Sequence, residues 1–148
     1  MSMTKHVLPL ISALILAACA TPSRQESFNV ATADFSTAKA DDLCVVYGFR
    51  LNRSQEARAE LLRRNTFTEG EWRTIDARKV VPGLSECGVK AAYPLNVAKY
   101  YFHNDANGNA IGKDMVFSCE KAPVPHCPFT KIEIREGKVT ALVPVSEP

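Results

Sequence analysis

The stretch TKIEIREGKVTALVPV, residues 130 to 145, decides what kind of fold this chain makes. Ile132 and Ile134 alternate with Lys131, Glu133 and Arg135, the period-two pattern of a strand with one buried face. Glu136-Gly137 separates that run from a second β-prone run, Lys138 to Val145, so the pair reads as a hairpin closed by a tight turn. Upstream, VAKYYFH (97–103) and KDMVFSC (113–119) flank NDANGNAIG, with Asn107-Gly108 as the turn dipeptide. Two hairpins, and an antiparallel sheet of about four strands, are therefore expected.

Before Pro94 the period changes. NRSQEARAELLRRN (52–65) is built of strong helix formers, with Ala57, Leu61 and Leu62 on one face and Asn52 or Ser54 as the cap. FTEGEW (67–72) carries a capping box, Thr68 followed at the third position by Glu71, and Phe67 stands where it can staple onto Trp72. A helix should start at Glu69, carry Trp72 and Ile75 inward and end near Arg78. DDLCVVYG (41–48) has acids at its start and Gly48 where a stop is expected, which reads as a helix; a short strand competes, because Val45, Val46 and Tyr47 are β-formers. VVPGLSECGVKAAYP (80–94) reads as an extended entry, a turn at Pro82-Gly83 and a short helix capped by Ser85 that stops before Pro94. Helices first and strands after, without βαβ alternation, predict an α+β domain over residues 41–148, its short N-terminal helices packed on one face of the sheet.

Residues 20–40, ATPSRQESFNVATADFSTAKA, hold only Phe28, Val30 and Phe35 as larger apolar side chains. Such a segment reads as a flexible tether with a root-mean-square span of about 25 Å. Ahead of it, Lys5 precedes an apolar stretch from Val7 to Ala18, about 12 residues, too short for the ~20 of a permanent span but the length of a signal-peptide core. Leu16-Ala17-Ala18-Cys19 resembles the lipobox of bacterial lipoproteins. That resemblance implies removal of residues 1–18 as a signal peptide and acylation of Cys19, with several chains anchoring at ~0.8 kcal/mol per buried methylene. Ala20 stands where an inner-membrane retention signal would have Asp, so the resemblance implies the periplasmic face of the outer membrane.

Removing the leader leaves 130 of the 148 residues, enough for one core, and lowers the formal charge from +2 by the one charge of Lys5. That balance is no nucleic-acid footprint, and no nucleic-acid partner is expected. Four cysteines remain beyond Cys19: Cys44, Cys87, Cys119 and Cys127. An even number in an exported chain argues for disulfides. Of three pairings, Cys119 with Cys127 is favoured because they bracket the short EKAPVPH loop, which leaves Cys44 for Cys87. A metal site with His126 beside Cys127 is the rival reading, but no C-x-x-C spacing supports it, and no metal is expected.

LCVVYG, then ELLRRNTFTEGEWRTI, then VVPGLSECGVKAAYP, with the closing hairpin KIEIREGKVTALV, resembles the small lipoproteins of the outer-membrane β-barrel assembly machinery, the BamE (SmpA/OmlA)-like family. The likeness covers roughly residues 43 to 94 and the last hairpin. Leu84 stands where that family has Met, and Tyr93-Pro94 where it has Gly-x-Pro. The resemblance implies a non-catalytic accessory that binds or stabilises an envelope partner.

Catalytic signals are sparse. His6 lies in the leader, His103 ends a strand and His126 sits among prolines, so neither a Cys/His nor a Ser/His/Asp site assembles, and no enzyme is expected. Asp105-x-Asn107-Gly108-Asn109 begins like a calcium loop but lacks the closing Glu; a solvated hairpin tip is the better reading. No phosphate-cradling glycine motif occurs, and no cofactor is expected. Arg50, Arg53, Arg58, Arg63 and Arg64 concentrate charge around the first long helix. They read as a solvated face paired with Glu56 and Glu60, with Arg63 and Arg64 the candidate contacts for anionic lipid headgroups or an acidic partner. Two functions fit: an envelope accessory lipoprotein, and a periplasmic inhibitor or immunity-type module presenting its sheet to an enzyme.

Overall fold

The structure, a computed structural model, describes residues 28–148; the leader, Cys19 and the start of the tether lie outside the described residues. Four helices, α1 (Ala40–Phe49), α2 (Ser54–Arg63), α3 (Glu69–Asp76) and α4 (Glu86–Ala92), precede four strands, β1 (Val97–Asn104), β2 (Ala110–Ser118), β3 (Phe129–Arg135) and β4 (Lys138–Val145). The strands form one antiparallel sheet in the order β1-β2-β3-β4, two hairpins joined through a further antiparallel pair. The α+β architecture is the expected one.

Each element has a local cause. The capping box closes α3, with Glu71 N donating to Thr68 Oγ1 at 3.2 Å and Thr68 N donating to Glu71 Oε2 at 2.8 Å. The staple is formed too, the Phe67 and Trp72 ring centroids lying 5.1 Å apart. Ser85 caps α4, accepting from Gly88 N at 3.1 Å, and the helix ends at Ala92. Between β3 and β4, Glu136 and Gly137 have φ of 51° and 73°, the left-handed pair that a two-residue hairpin turn needs.

Three local expectations differ from what the chain does. The segment 41–48 is helical, but α1 runs through Gly48 and ends at Arg50, which takes the left-handed position with φ 55°. Gly48 is buried at the crossing of α1 and α4, so its missing side chain serves helix contact and not termination. Neither Asn52 nor Ser54 caps α2: the cap position is Arg53, at φ 59° and with no side-chain cap bond, while Ser54 is already inside the helix. Helix α3 ends at Asp76, two residues short of Arg78, which is itself left-handed.

Strand register sorts the sheet into two faces. Met115 pairs with Ile132, Phe117 with Thr130 and Lys113 with Ile134, so these side chains share the face toward the helices. There Met115, Phe117, Ile132, Ile134 and Val139 join Leu43, Tyr47, Leu61, Trp72, Ile75, Val89 and Tyr93 in one core. The other face carries Tyr101, His103, Asp114, Val116, Lys131, Glu133 and Arg135, and no described helix covers it.

Candidate functional site

The segment expected to be a flexible tether up to residue 40 is docked from residue 28 onward. Phe35 is 3% exposed and stacks against Phe28, with ring centroids 6.2 Å apart. Two arginines that bracket α2, one at each cap, hold the backbone. Arg53 Nη1 donates to the carbonyls of Val30 (2.6 Å) and Ala33 (2.9 Å), with its guanidinium over the Phe35 ring. Arg64 donates from Nη1 to Ala38 O (2.7 Å) and from Nη2 to Phe35 O (2.7 Å) and Ser36 O (3.0 Å). A segment too poor in apolar residues to fold alone is ordered because a planar five-donor fork satisfies carbonyls that water would otherwise hold.

This revises the role of Arg64. Expected at a headgroup or partner, it also donates from Nε to Glu60 Oε1 at 2.6 Å and is an internal clamp. Arg63 also pairs with Glu60, but its side chain is 65% exposed, so of the two only Arg63 faces outward. The other arginines are likewise engaged: Arg50 lies 3.4 Å over the Tyr47 ring and donates to Ile75 O, and Arg58 pairs with Asp76 at 2.8 Å and lies over Trp72. Arg64→Ala should release residues 28–38 and cost about 2 kcal/mol, since charge-assisted bonds to ordered backbone are lost. Hydrogen exchange at Ala33, Ser36 and Thr37, whose amides are bonded within the segment, would rise selectively, and denaturant titration would read the global loss.

Both disulfides expected from the sequence are present. Cys44 on α1 is bonded to Cys87 on α4 and Cys119 to Cys127 across the β2–β3 loop, each with Cα atoms 5.5 Å apart. Cys127 is thus committed to sulfur, which removes it from the metal reading, and the neighbouring His126 is tied by its backbone to the buried hydroxyl of Thr130. Asp105 is similarly occupied, its carboxylate accepting from the amides of Asn107 and Asn109 inside its own turn. Cys19 lies outside the described residues.

The uncovered sheet face holds a group that sequence reasoning missed. Asp114, 5% exposed in the middle of β2, accepts from Arg135 Nη1 at 2.8 Å; His103 Nε2 lies 3.0 Å from its other oxygen, off the hydrogen-bond line, and Lys131 Nζ lies at 3.8 Å. Asp114, His103 and Lys131 line, with Tyr101, Val116, Val145 and Glu147, a shallow hollow of about 280 Å³. The only sequence signal was an acid inside an apolar strand, and its partners come from β1 and β3. Burial raises the Asp114 pKa, but the bond from Arg135 and the imidazole of His103 outweigh it and hold the carboxyl below its ordinary range. Arg135 on β3 and His103 on β1 converge on the Asp114 carboxylate of β2, so the arrangement locks three strands together.

Other carboxylates are depressed in the same way. Glu60 is held from its ordinary 4.5 down to about 2 by hydrogen bonds from Arg63 and then Arg64. Glu86 is lowered despite its burial because Lys90 and Lys113 both bond it. A carboxyl whose folded pKa is depressed contributes stability above its unfolded pKa and loses it as pH falls toward the folded one. The melting temperature should therefore hold steady from about pH 8 to pH 5 and drop steeply below about pH 4.5. Thermal unfolding across that range, with Asp114→Asn flattening the acid limb, checks it.

No family model, no curated protein and no solved structure matches the chain.

Proposed function

We propose that this chain is a lipid-anchored, non-catalytic accessory protein of the bacterial envelope, held by acylated Cys19 at the periplasmic face of the outer membrane and acting on a protein partner there. The observation that carries this reading is the pair of formed disulfides in a chain whose N-terminal apolar run closes on Leu16-Ala17-Ala18-Cys19. Cross-links persist in an oxidising compartment, and the lipobox resemblance supplies both the export and the anchor. The likeness to BamE-type lipoproteins favours a role in envelope maintenance or outer-membrane protein assembly.

Docking of residues 28–38 gives this reading a geometric consequence. Only residues 20–27 separate Cys19 from the docked segment, a reach of at most about 30 Å at full extension. The end of the domain bearing Phe28 would work close to the bilayer, and the exposed Arg63 is the candidate arginine for anionic headgroups, at about 1 kcal/mol each.

Cys19→Ser tests the anchor. The wild-type chain should incorporate labelled fatty acid, lose residues 1–18 and fractionate with outer membranes; the variant should appear soluble in the periplasm. Mass spectrometry finding an intact, unacylated amino terminus on the wild-type protein would overturn the reading. Crosslinking in intact cells followed by purification would then capture the envelope partner, and capture of one hydrolase would favour an inhibitor instead.

A further inference from the structure

The sheet has two edges, and the chain treats them differently. Along β4, Gly83 N donates to Val139 O at 2.8 Å, Val139 N donates to Leu84 O at 2.8 Å, and Glu86 N donates to Gly137 O at 2.9 Å. Ser85 completes a bridge to Lys138, and further along Pro144 removes a donor from the same edge. Among the described residues nothing pairs with the outer side of β1. Its irregularities fall at its ends, at Val97/Lys99 and His103/Asn104, so Lys99 to His103 is a regular run with no proline, glycine or internal charge. Such an edge is a template for another strand.

The chemistry of that run says which strand. Lys99-Tyr100-Tyr101-Phe102-His103 is mirrored about Tyr101: aromatic residues flank the centre and basic residues flank those. An isologous two-fold contact requires a patch complementary to itself, and in an antiparallel pair residues directly opposite share a face, so the aromatic centre meets that requirement ring against ring while Lys99 stands opposite His103 at the margins. We infer that β1 pairs with β1 of a second copy of this chain, antiparallel about a two-fold axis at Tyr101, extending the sheet to eight strands.

In that pairing Tyr101 meets its own copy, and Tyr100 lies opposite Phe102 of the second copy. Tyr100 and Phe102 share the helix-side face with Met115 and Lys113, and they already stack, with centroids 6.0 Å apart and planes 13° apart. Each copy adds a ready-made ring pair, giving four rings in one row. These side chains have surface to bury: Phe102 is 69% exposed, Tyr101 40% and Tyr100 39%. At 150–250 Å² per ring they leave about 300 Å² per copy, so the interface falls short of the ~1,200 Å² of a stable complex and is a weak one, dissociating at roughly 10–100 µM. Resting on the proposed anchor, confinement to a membrane would raise the effective concentration enough to populate the pair.

Sedimentation of the full chain carrying Cys19→Ser, oxidised and unanchored, tests the edge apart from the anchor. From about 10 µM to about 1 mM the mean mass should climb from monomer toward dimer. Phe102→Glu, at an exposed position that leaves the core intact, should move the midpoint upward at least tenfold, to about 1 mM or beyond. Tyr101→Cys should yield a dimer cross-linked between the two copies of residue 101, located by peptide mapping, while Thr140→Cys on the opposite edge should yield none. A chain monomeric at 1 mM, or a dimer indifferent to Phe102→Glu and cross-linked through residue 140, would overturn the inference. Failure of the acylation experiment alone would leave it standing.

Discussion

Replacing Cys44 and Cys87 together by alanine should lower the unfolding free energy by about 4 kcal/mol, against about 2.5 kcal/mol for the same change at Cys119 and Cys127. The difference follows from loop length. The first bridge closes a 43-residue separation and the second an 8-residue one, and the loop entropy removed from the unfolded chain grows with the logarithm of that length. Position adds to it. Cys44 is fully buried on α1 and its bridge ties α1 to α4, so the loss falls on the helix pair that covers the sheet. At the low end of the roughly 5–15 kcal/mol of a domain of this size, the first variant would keep about 1 kcal/mol and the second about 2.5 kcal/mol. Urea titrations of both double variants read the ordering directly. A Cys119/Cys127 variant that proved the less stable of the two would remove the argument.

Elements whose cause lies within a few residues were legible in the sequence. The Thr68–Glu71 box, the Ser85 cap, the Glu136-Gly137 turn and the alternation through Ile132 and Ile134 are local, and the chain obeys each of them. The short cysteine loop was legible for the same reason. What could not be read depends on partners distant in sequence. Residues 28–38 are too polar to order themselves, and their docking needs Arg53 and Arg64, as many as 29 positions away. Asp114 is a lone acid until β1 brings His103 and β3 brings Arg135 and Lys131 beside it. Charge runs are ambiguous in the same way: the arginines around α2 have the composition of a solvated face, yet most are spent on carbonyls, rings and carboxylates of this chain.

Gly48 is the sharpest instance, and it carries the second large expectation. A glycine near the end of a helical run reads as a stop, and substitution by alanine at such a place gains about 1 kcal/mol if the backbone remains helical. Here a methyl group would land on the carbonyl oxygen of Lys90 and 2.6 Å from that of Tyr93, both backbone atoms of α4 and its exit. Backbone cannot yield as a side-chain tip can, so the two helices would have to separate. The Cys44–Cys87 bridge, one turn away on the same face of α1, opposes that separation. Gly48→Ala should therefore cost about 3 kcal/mol net, the upper range for overpacking, with Gly48→Val worse. The bridge makes the penalty context-dependent: without Cys44 and Cys87 the helices are free to move apart, and part of the cost of the methyl group disappears. The triple variant should then be about 1–2 kcal/mol more stable than the sum of the separate losses predicts. Strict additivity in a double-mutant cycle would mean that the bridge does not hold the crossing closed, and that the methyl group is accommodated by another movement of α1.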